Sequence, residues 1–329
     1  MTSVTYSGPP LESLSECILD VKNPISKRTI AAFHLRTMGT LEAALVIAEA
    51  LRNKDNGSLM RHELAYIMGQ MQHEESSPIL EEILATEGED ILVRHESAEA
   101  LGAIGCSKFL PLLQEYAVHE APEIAETCQI AIDMIKYKQK LAEEASRSDG
   151  EGGTGSSDIS KYASIDPAPP VTGVKTLTEY RDTYLDGSLS LFERYRAMFS
   201  LRDLNSDESV EVLVQGFQDP SALFRHEVAY VLGQMQRLSS ASALITVLKN
   251  MDEHRMVRHE AAEALGAIGG EEATKALQEF HDDDEVVVQE SCEVALNIVD
   301  YWADVSSQDV TSENTSDESG QKLNKKSDA

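Results

Sequence analysis

The twelve residues RHESAEALGAIG at 94–105 return as RHEAAEALGAIG at 258–269, with one letter changed. A second pair, RHELAYIMGQMQ at 61–72 and RHEVAYVLGQMQ at 225–236, keeps the same 164-residue separation and agrees at nine of twelve places. His62 to His95 is a step of 33 residues, and so is His226 to His259. TIAAFHLRTM at 29–38 echoes YRAMFSLRDL at 195–204 more faintly. The chain is a tandem duplication in which each half is an array of short repeats. That restricts the fold to one small unit stacked on itself.

The unit is a helical hairpin. Apolar residues recur at intervals of three and four, as in Val228, Val231, Leu232 and Met235, which is the spacing of one helix face. Asn23-Pro24, Asn56-Gly57, Glu87-Gly88 and Asp219-Pro220 cut the pattern into short pieces. Only runs such as VVV at 286–288 suggest strand, and they open an otherwise helical segment. Four hairpins per half are expected, near 10–39, 40–72, 75–105 and 107–139, then 176–205, 207–236, 239–269 and 270–303. A hairpin this small cannot bury its apolar face alone, so successive ones must stack into an all-α solenoid. Gly69, Gly102, Gly233 and Gly266 recur late in the second helix. Each costs about 1 kcal/mol against Ala, a cost that close helix approach or an early helix end would offset.

Residues 140–175 are rich in Ser, Gly, Pro and acid, and are expected to form a flexible linker between halves at 1–139 and 176–303. At ~3.3–3.6 Å per residue such a linker could span roughly 100 Å, enough for the halves to face each other. Residues 304–329 read as a disordered tail. Lys plus Arg number 28 against 57 Asp plus Glu, a formal charge of −29. That field disfavours nucleic acid and anionic membrane and attracts cationic ligands or a basic protein surface. Cys17, Cys106, Cys128 and Cys292 show no paired spacing and read as reduced thiols. With no secretory signal and no membrane-length apolar run, the expected location is cytoplasmic, with nuclear access.

The His-Glu pairs are harder to explain as packing. One RHE at a helix start is ordinary, since Glu favours the positive end of the helix dipole. Four in register are not, because His and Glu are costly to bury without partners. They occupy only the two central repeats of each half, and the outer hairpins at 25–39 and 122–139 lack them. His62 and His95 are equivalent in adjacent repeats, as are His226 and His259, so each half can present two imidazoles and a carboxylate on one concave face. Neutral imidazole and carboxylate suit Zn, Fe, Mn or Cu, and two His with one carboxylate and open positions suit non-haem Fe(II) activating O2. Helix geometry offers Glu99 to His95 and Glu263 to His259 at i+4, with Tyr66 and Tyr230 in the matching places. Glu63, Glu96, Glu227 and Glu260 can instead converge beside the helix start. Zinc-peptidase HExxH is absent. His34, His73, His119, His254 and His281 have no counterpart in the other half and read as structural or solvated. Arg61, Arg94, Arg225 and Arg258, before each pair, read as ion-pair partners for acids of neighbouring repeats.

These motifs resemble HEAT-like repeats of the bilin-lyase type. The set HELAYIMGQMQ, HESAEALGAIG, HEVAYVLGQMQ and HEAAEALGAIG resembles the deoxyhypusine hydroxylase family across both helical halves. The resemblance implies a di-iron monooxygenase, Fe(2+) two per chain. It implies that His62, His95 and Glu96 hold one metal and that His226, His259 and Glu260 hold the other. Glu63 and Glu227 would hold the substrate's amines and are candidate additional ligands. The implied partner is a translation initiation factor precursor bearing deoxyhypusine, hydroxylated to hypusine with O2 and an external reductant. Deoxyhypusine is a long aliphatic arm carrying protonated amines, so carboxylates beside the metals suit it. The competing readings are a non-enzymatic scaffold for a basic protein, a bilin lyase and a zinc hydrolase.

Overall fold

The computed structural model describes residues 6–147 and 162–297; among these the apolar runs become helices and none becomes a strand. The first half runs α1 (Leu11–Leu19), α2 (Ile25–Met38), α3 (Leu41–Arg52), α4 (Gly57–Met71), α5 (Pro78–Ala85), α6 (Ile91–Ile104), α7 (Leu110–Tyr116) and α8 (Pro122–Arg147). The second runs α9 (Leu177–Leu185), α10 (Leu191–Leu204), α11 (Asp207–Val214), α12 (Ala222–Met235), α13 (Ala241–Lys249), α14 (Arg255–Ile268) and α15 (Glu271–Glu279). Helix α16 follows at 286–297 and is opened by the three valines. Consecutive helices form the hairpins that the periodicity predicts.

Polar residues outside the apolar runs set the helix ends. Thr40, Asp90, Ser190 and Ser221 accept a backbone N–H from the first turns of α3, α6, α10 and α12. Thr176 and Glu179 close a reciprocal capping box on α9. Gln72 and Gln236, 164 residues apart, end α4 and α12 in the left-handed conformation with φ of 56° and 51°.

The even-numbered helices form the inner layer, α4 on α6 on α8 and α12 on α14. α3 buries one stripe, Ala43, Ala44, Ile47, Ala50 and Leu51, as an outer amphipathic helix should. α6 and α14 are buried on almost every side, their polar residues Arg94, His95, Glu96, Arg258, His259 and Glu260 included. The recurrent glycines make this stacking close. A Cβ on Gly69 would lie 2.9 Å from Ala100 Cα, one on Gly102 2.9 Å from Ala131 Cα, one on Gly233 2.9 Å from Ala264 Cα and one on Gly266 2.8 Å from Ala295 Cα. Close approach, not helix termination, is the reason for glycine at these four places.

The arginines before the His-Glu pairs fasten each inner helix to its neighbours. Arg61 Nε donates to the Leu51 carbonyl at 2.8 Å and its two terminal nitrogens grip Glu89 at 2.6 and 3.0 Å. Arg225 grips Glu253 and Arg258 grips Asp283 in the same two-pronged way. Arg94 departs from the expectation. It donates twice to the Leu84 carbonyl and faces the His119 ring instead of an acid.

The stretch 140–175 is more ordered at its ends than a flexible linker would be. α8 continues through 140 to Arg147. Beyond it, Asp166 and Ala168 are buried, and 164–171 lies along α10 as a strap. Asp166 accepts from Arg202 at 2.9 and 2.8 Å, Arg196 donates to the Pro169 carbonyl, and Val171 N–H donates to Ser200 Oγ. Composition reads as linker because the order comes from these tertiary partners. Residues 148–161 and the tail at 304–329 lie outside the described residues. Cys128 and Cys292 are buried and Cys17 and Cys106 partly so, with all four thiols free. No helix among the described residues is long and apolar enough to cross a membrane.

Candidate metal centre

His62 lies in the second turn of α4, and His95, His226 and His259 occupy the corresponding turns of α6, α12 and α14. The two halves bring all four rings into one cluster. Ring centroids within a half are 5.4 Å apart, for His62–His95 and for His226–His259. Across the halves they are equally close: His62–His259 5.1 Å, His95–His226 5.4 Å and His62–His226 6.1 Å. Tyr66 and Tyr230 meet across the same divide with hydroxyls 2.9 Å apart. Asp90 with Arg255 and Glu126 with Ser221 clasp the halves elsewhere.

A cavity of about 290 Å³ opens onto the cluster. Glu63, Glu96, Glu99, Glu227, Glu260 and Glu263 all line it, together with Tyr66 and Tyr230. Six carboxylates around one small volume are self-repelling without cations. Accordingly, burial first, then neighbouring carboxylates, push Glu99, Glu227 and Glu263 well above the usual range. Burial and the neighbouring histidines hold His95 and His259 well below theirs, leaving neutral rings with a lone pair to offer. Burial also works against charge on His62, but Glu63 and Glu96 outweigh it and raise this ring well above its ordinary value. A positive charge is favoured at that point.

The buried polar atoms without hydrogen-bond partners among the described residues are His62 Nε2, both ring nitrogens of His95 and of His226, His259 Nε2 and Glu227 Oε1. Every one belongs to this cluster. His62 Nε2 and His226 Nε2 do come within 3.2 and 3.4 Å of Glu96 and Glu260 Oε2, but without the alignment a hydrogen bond needs. Orphaned buried atoms are rare in folded proteins, and lone pairs so gathered fit a metal.

Three groups have donor atoms close enough to share an ion: His62, His95 and Glu96; His62, His226 and His259; and His259, Glu260 and Glu263. The first is the set that the resemblance implies. In the second half, Glu263 joins His259 and Glu260, and His226 is grouped with histidines alone. The i+4 carboxylate left open by helix geometry is thus present on one side, with Glu263 Oε1 3.4 Å from His259 Nδ1 and 3.1 Å from Ser291 Oγ. Glu63 is hydrogen-bonded to His62 Nδ1 at 3.1 Å, whereas its counterpart Glu227 is more deeply buried.

The five other histidines do not line the cavity. His73 meets the Gly39 carbonyl, His119 and His254 accept local backbone N–H groups, and His281 pairs with Asp282 at the surface. Sequence reasoning missed the cavity's rim, Phe33 and Arg36 of α2, and the strap that bonds Gln70 and Gln234. Gln70 exchanges two hydrogen bonds with the Ile165 backbone at 2.9 and 2.7 Å. Its counterpart Gln234 donates to Ser164 and to Tyr230. The GQMQ repeat contained both glutamines, so their pairing was legible although their partners were not.

Fold and site define a class, a helical-repeat protein whose two halves enclose a buried imidazole–carboxylate centre. HEAT repeats are matched over 210–297 and the PBS lyase HEAT-like repeat over 93–119 and 193–219. Deoxyhypusine hydroxylase of Danio rerio is 44% identical over 88% of this chain and 92% of its own, and that of Homo sapiens is 41% identical over 88% and 91%. The structure of human deoxyhypusine hydroxylase in complex with glycerol superposes with a TM-score of 0.80 at 41% identity, covering 88% of this chain and 96% of that one. The chain belongs to the deoxyhypusine hydroxylase family.

Proposed function

We propose that this chain hydroxylates the deoxyhypusine side chain of a translation initiation factor precursor to hypusine, consuming O2 and an external reductant at two irons. The observation that carries this reading is the convergence of four imidazoles, with orphaned ring nitrogens, and six glutamates on one cavity. In this reading His62, His95 and Glu96 hold one Fe(2+), and His226, His259 and Glu260 the other. When bound, such irons supply the activation of O2.

The chain's own groups prepare the site. Glu63 orients His62 through Nδ1 and Glu263 orients His259 in the same way, fixing which ring nitrogen is free. Glu227, with one carboxylate oxygen unpartnered, is the acceptor for an ammonium of the substrate arm, and Glu63 is its counterpart nearer the rim. An ammonium there favours the ionised carboxylates that burial otherwise disfavours. Ala264 and Ala295 give the methylenes an apolar wall, and the Tyr66–Tyr230 pair limits access of water. Glu99, which burial and then Glu96 push well above the usual carboxylate range, lines the cavity beside Glu96. A cytoplasmic enzyme with nuclear access goes with a translation-factor substrate.

Protein purified from cells is expected to hold two irons per chain with a magnetically coupled Mössbauer spectrum, and to convert deoxyhypusine to hypusine only with O2 and reductant. His226→Ala should lose iron and turnover together. Turnover by the iron-free protein would refute the reading. A scaffold for a basic partner is the competing reading. It gives no role to His95 and His259 at 0% exposure, and it requires partner binding that His226→Ala leaves intact.

A further inference from the structure

α2 and α10 occupy the same place in the two halves, so Phe33 and Arg36 correspond to Phe199 and Arg202. In the second half this surface is covered by the chain itself. Tyr162 lies over Arg202, guanidinium carbon 4.4 Å from the ring centre, and Asp166 accepts from Arg202 through both oxygens. Phe199 and Arg202 are both fully buried. In the first half the same surface is open. Phe33 is 37% exposed and Ile30 45%. Arg36 lies 5.7 Å from the Tyr66 ring centre and 3.5 Å from Gln70 Oε1, and it forms no ion pair with the described residues. Phe33 and Arg36 also line the cavity that leads to the histidine cluster.

We propose that this α2 surface is the docking site of the substrate protein. An extended segment beside the modified residue places a carboxylate on Arg36 and an apolar side chain on Phe33 and Ile30, while the modified arm passes Glu63 into the cavity. The proposal rests on the functional reading above and adds where the protein substrate is held and by what chemistry. The strap on α10 demonstrates the fit: an extended, acid-bearing segment satisfies the equivalent arginine. An arginine that meets no acid among the described residues, in a chain with 57 acidic and 28 basic residues, is available to a carboxylate from outside. Residues 1–5, Met-Thr-Ser-Val-Thr, have no carboxylate side chain to supply. The related approach beside α10 is obstructed, because α8 packs on α10 and α12, Tyr137 meets Phe192, and Arg196 lies over Tyr137.

The test is steady-state kinetics of the iron-loaded, full-length chain on the deoxyhypusine-bearing protein. Arg36→Glu should raise KM at least tenfold, with kcat and iron per chain within twofold of the parent, and Arg36→Lys should recover most of the loss. Phe33→Ser should raise KM in the same direction without reversing charge. Arg52→Glu, at an exposed pair with Glu82, should change neither constant. An unchanged KM in Arg36→Glu and Phe33→Ser overturns the docking site while leaving the activity intact. So does a peptide of residues 298–329 that competes with substrate for the parent but not for Arg36→Glu, since the chain's own acidic end would then be the occupant. A parent enzyme that binds iron and hydroxylates nothing defeats the functional reading, and this one with it.

Discussion

A single methyl group separates glycine from alanine, and at Gly102 the stacking leaves no room for it. Its Cβ would lie 2.8 Å from Ala131 Cβ and 2.9 Å from Ala131 Cα, against helix backbone that cannot swing aside. Gly102→Ala gains about 1 kcal/mol of helix propensity but loses about 1–3 kcal/mol to overpacking. A net fall in the urea midpoint is expected, and a rise would mean that α6 and α8 separate freely. Glu89 makes a second residue-scale prediction. Burial pushes its carboxyl up, but hydrogen bonds from Arg61 and the Asp90 amide, with Lys54 nearby, outweigh burial and hold it at about 2. Because the folded value lies below the ordinary one, the stabilisation is complete above the ordinary range and is lost as pH falls towards about 2. Glu89→Gln should cost about 1–3 kcal/mol at neutral pH and flatten the acid limb of a stability–pH curve. An acid limb as steep as the parent's would place the sensitivity elsewhere.

At the scale of elements, the strap at 164–171 joins what the duplication left separate. Gln70 from α4 and Gln234 from α12 hold neighbouring strap residues, and Gln234 continues to Tyr230 and so to Tyr66. Asp166→Ala would strip Arg202, fully buried, of its two-oxygen partner and leave Asp203 at 3.0 Å as an acid still beside it. A loss of about 3 kcal/mol is expected, the low end for breaking a buried pair. With Arg202→Met added, the double variant should cost less than the sum, with a coupling of about 2 kcal/mol. Additive losses would show that the pair does not hold the strap. This is also where sequence legibility ends. The His-Glu pairs, the tyrosines and the glycines could be read because duplication prints each twice at one interval. The strap appears once, and Ser, Pro and Ala carry no periodicity, so its order depends on Gln70 and Arg202, which are distant in sequence. The choice between adjacent and i+4 glutamates stayed open for a related reason: a helix start fixes where Cβ points, while tertiary partners such as Ser291, which donates to Glu263, decide which carboxylate reaches the ring.

At the scale of the molecule, the centre is shared: no two of its four histidines come from the same helix, and rings from opposite halves are as close as rings within one. In the proposed assignment each metal takes its ligands from one arm, and it then faces the imidazoles and carboxylates of the other at close range. Its binding free energy therefore adds to the stability of the whole fold, by about 4 kcal/mol where the metal is at a thousand times its Kd. Chelation should lower Tm. It should also speed amide exchange at α4, α6, α12 and α14 together, because buried imidazole and carboxylate atoms of these helices are then left without partners. Adding Fe(II) back should restore protection in all four helices with one dependence on metal concentration if both positions fill as a unit, or two steps if they fill in turn. Either course keeps the halves coupled. Loss of protection confined to α4 and α6, or to α12 and α14, would mean that the convergence of the four rings does not couple the two arms.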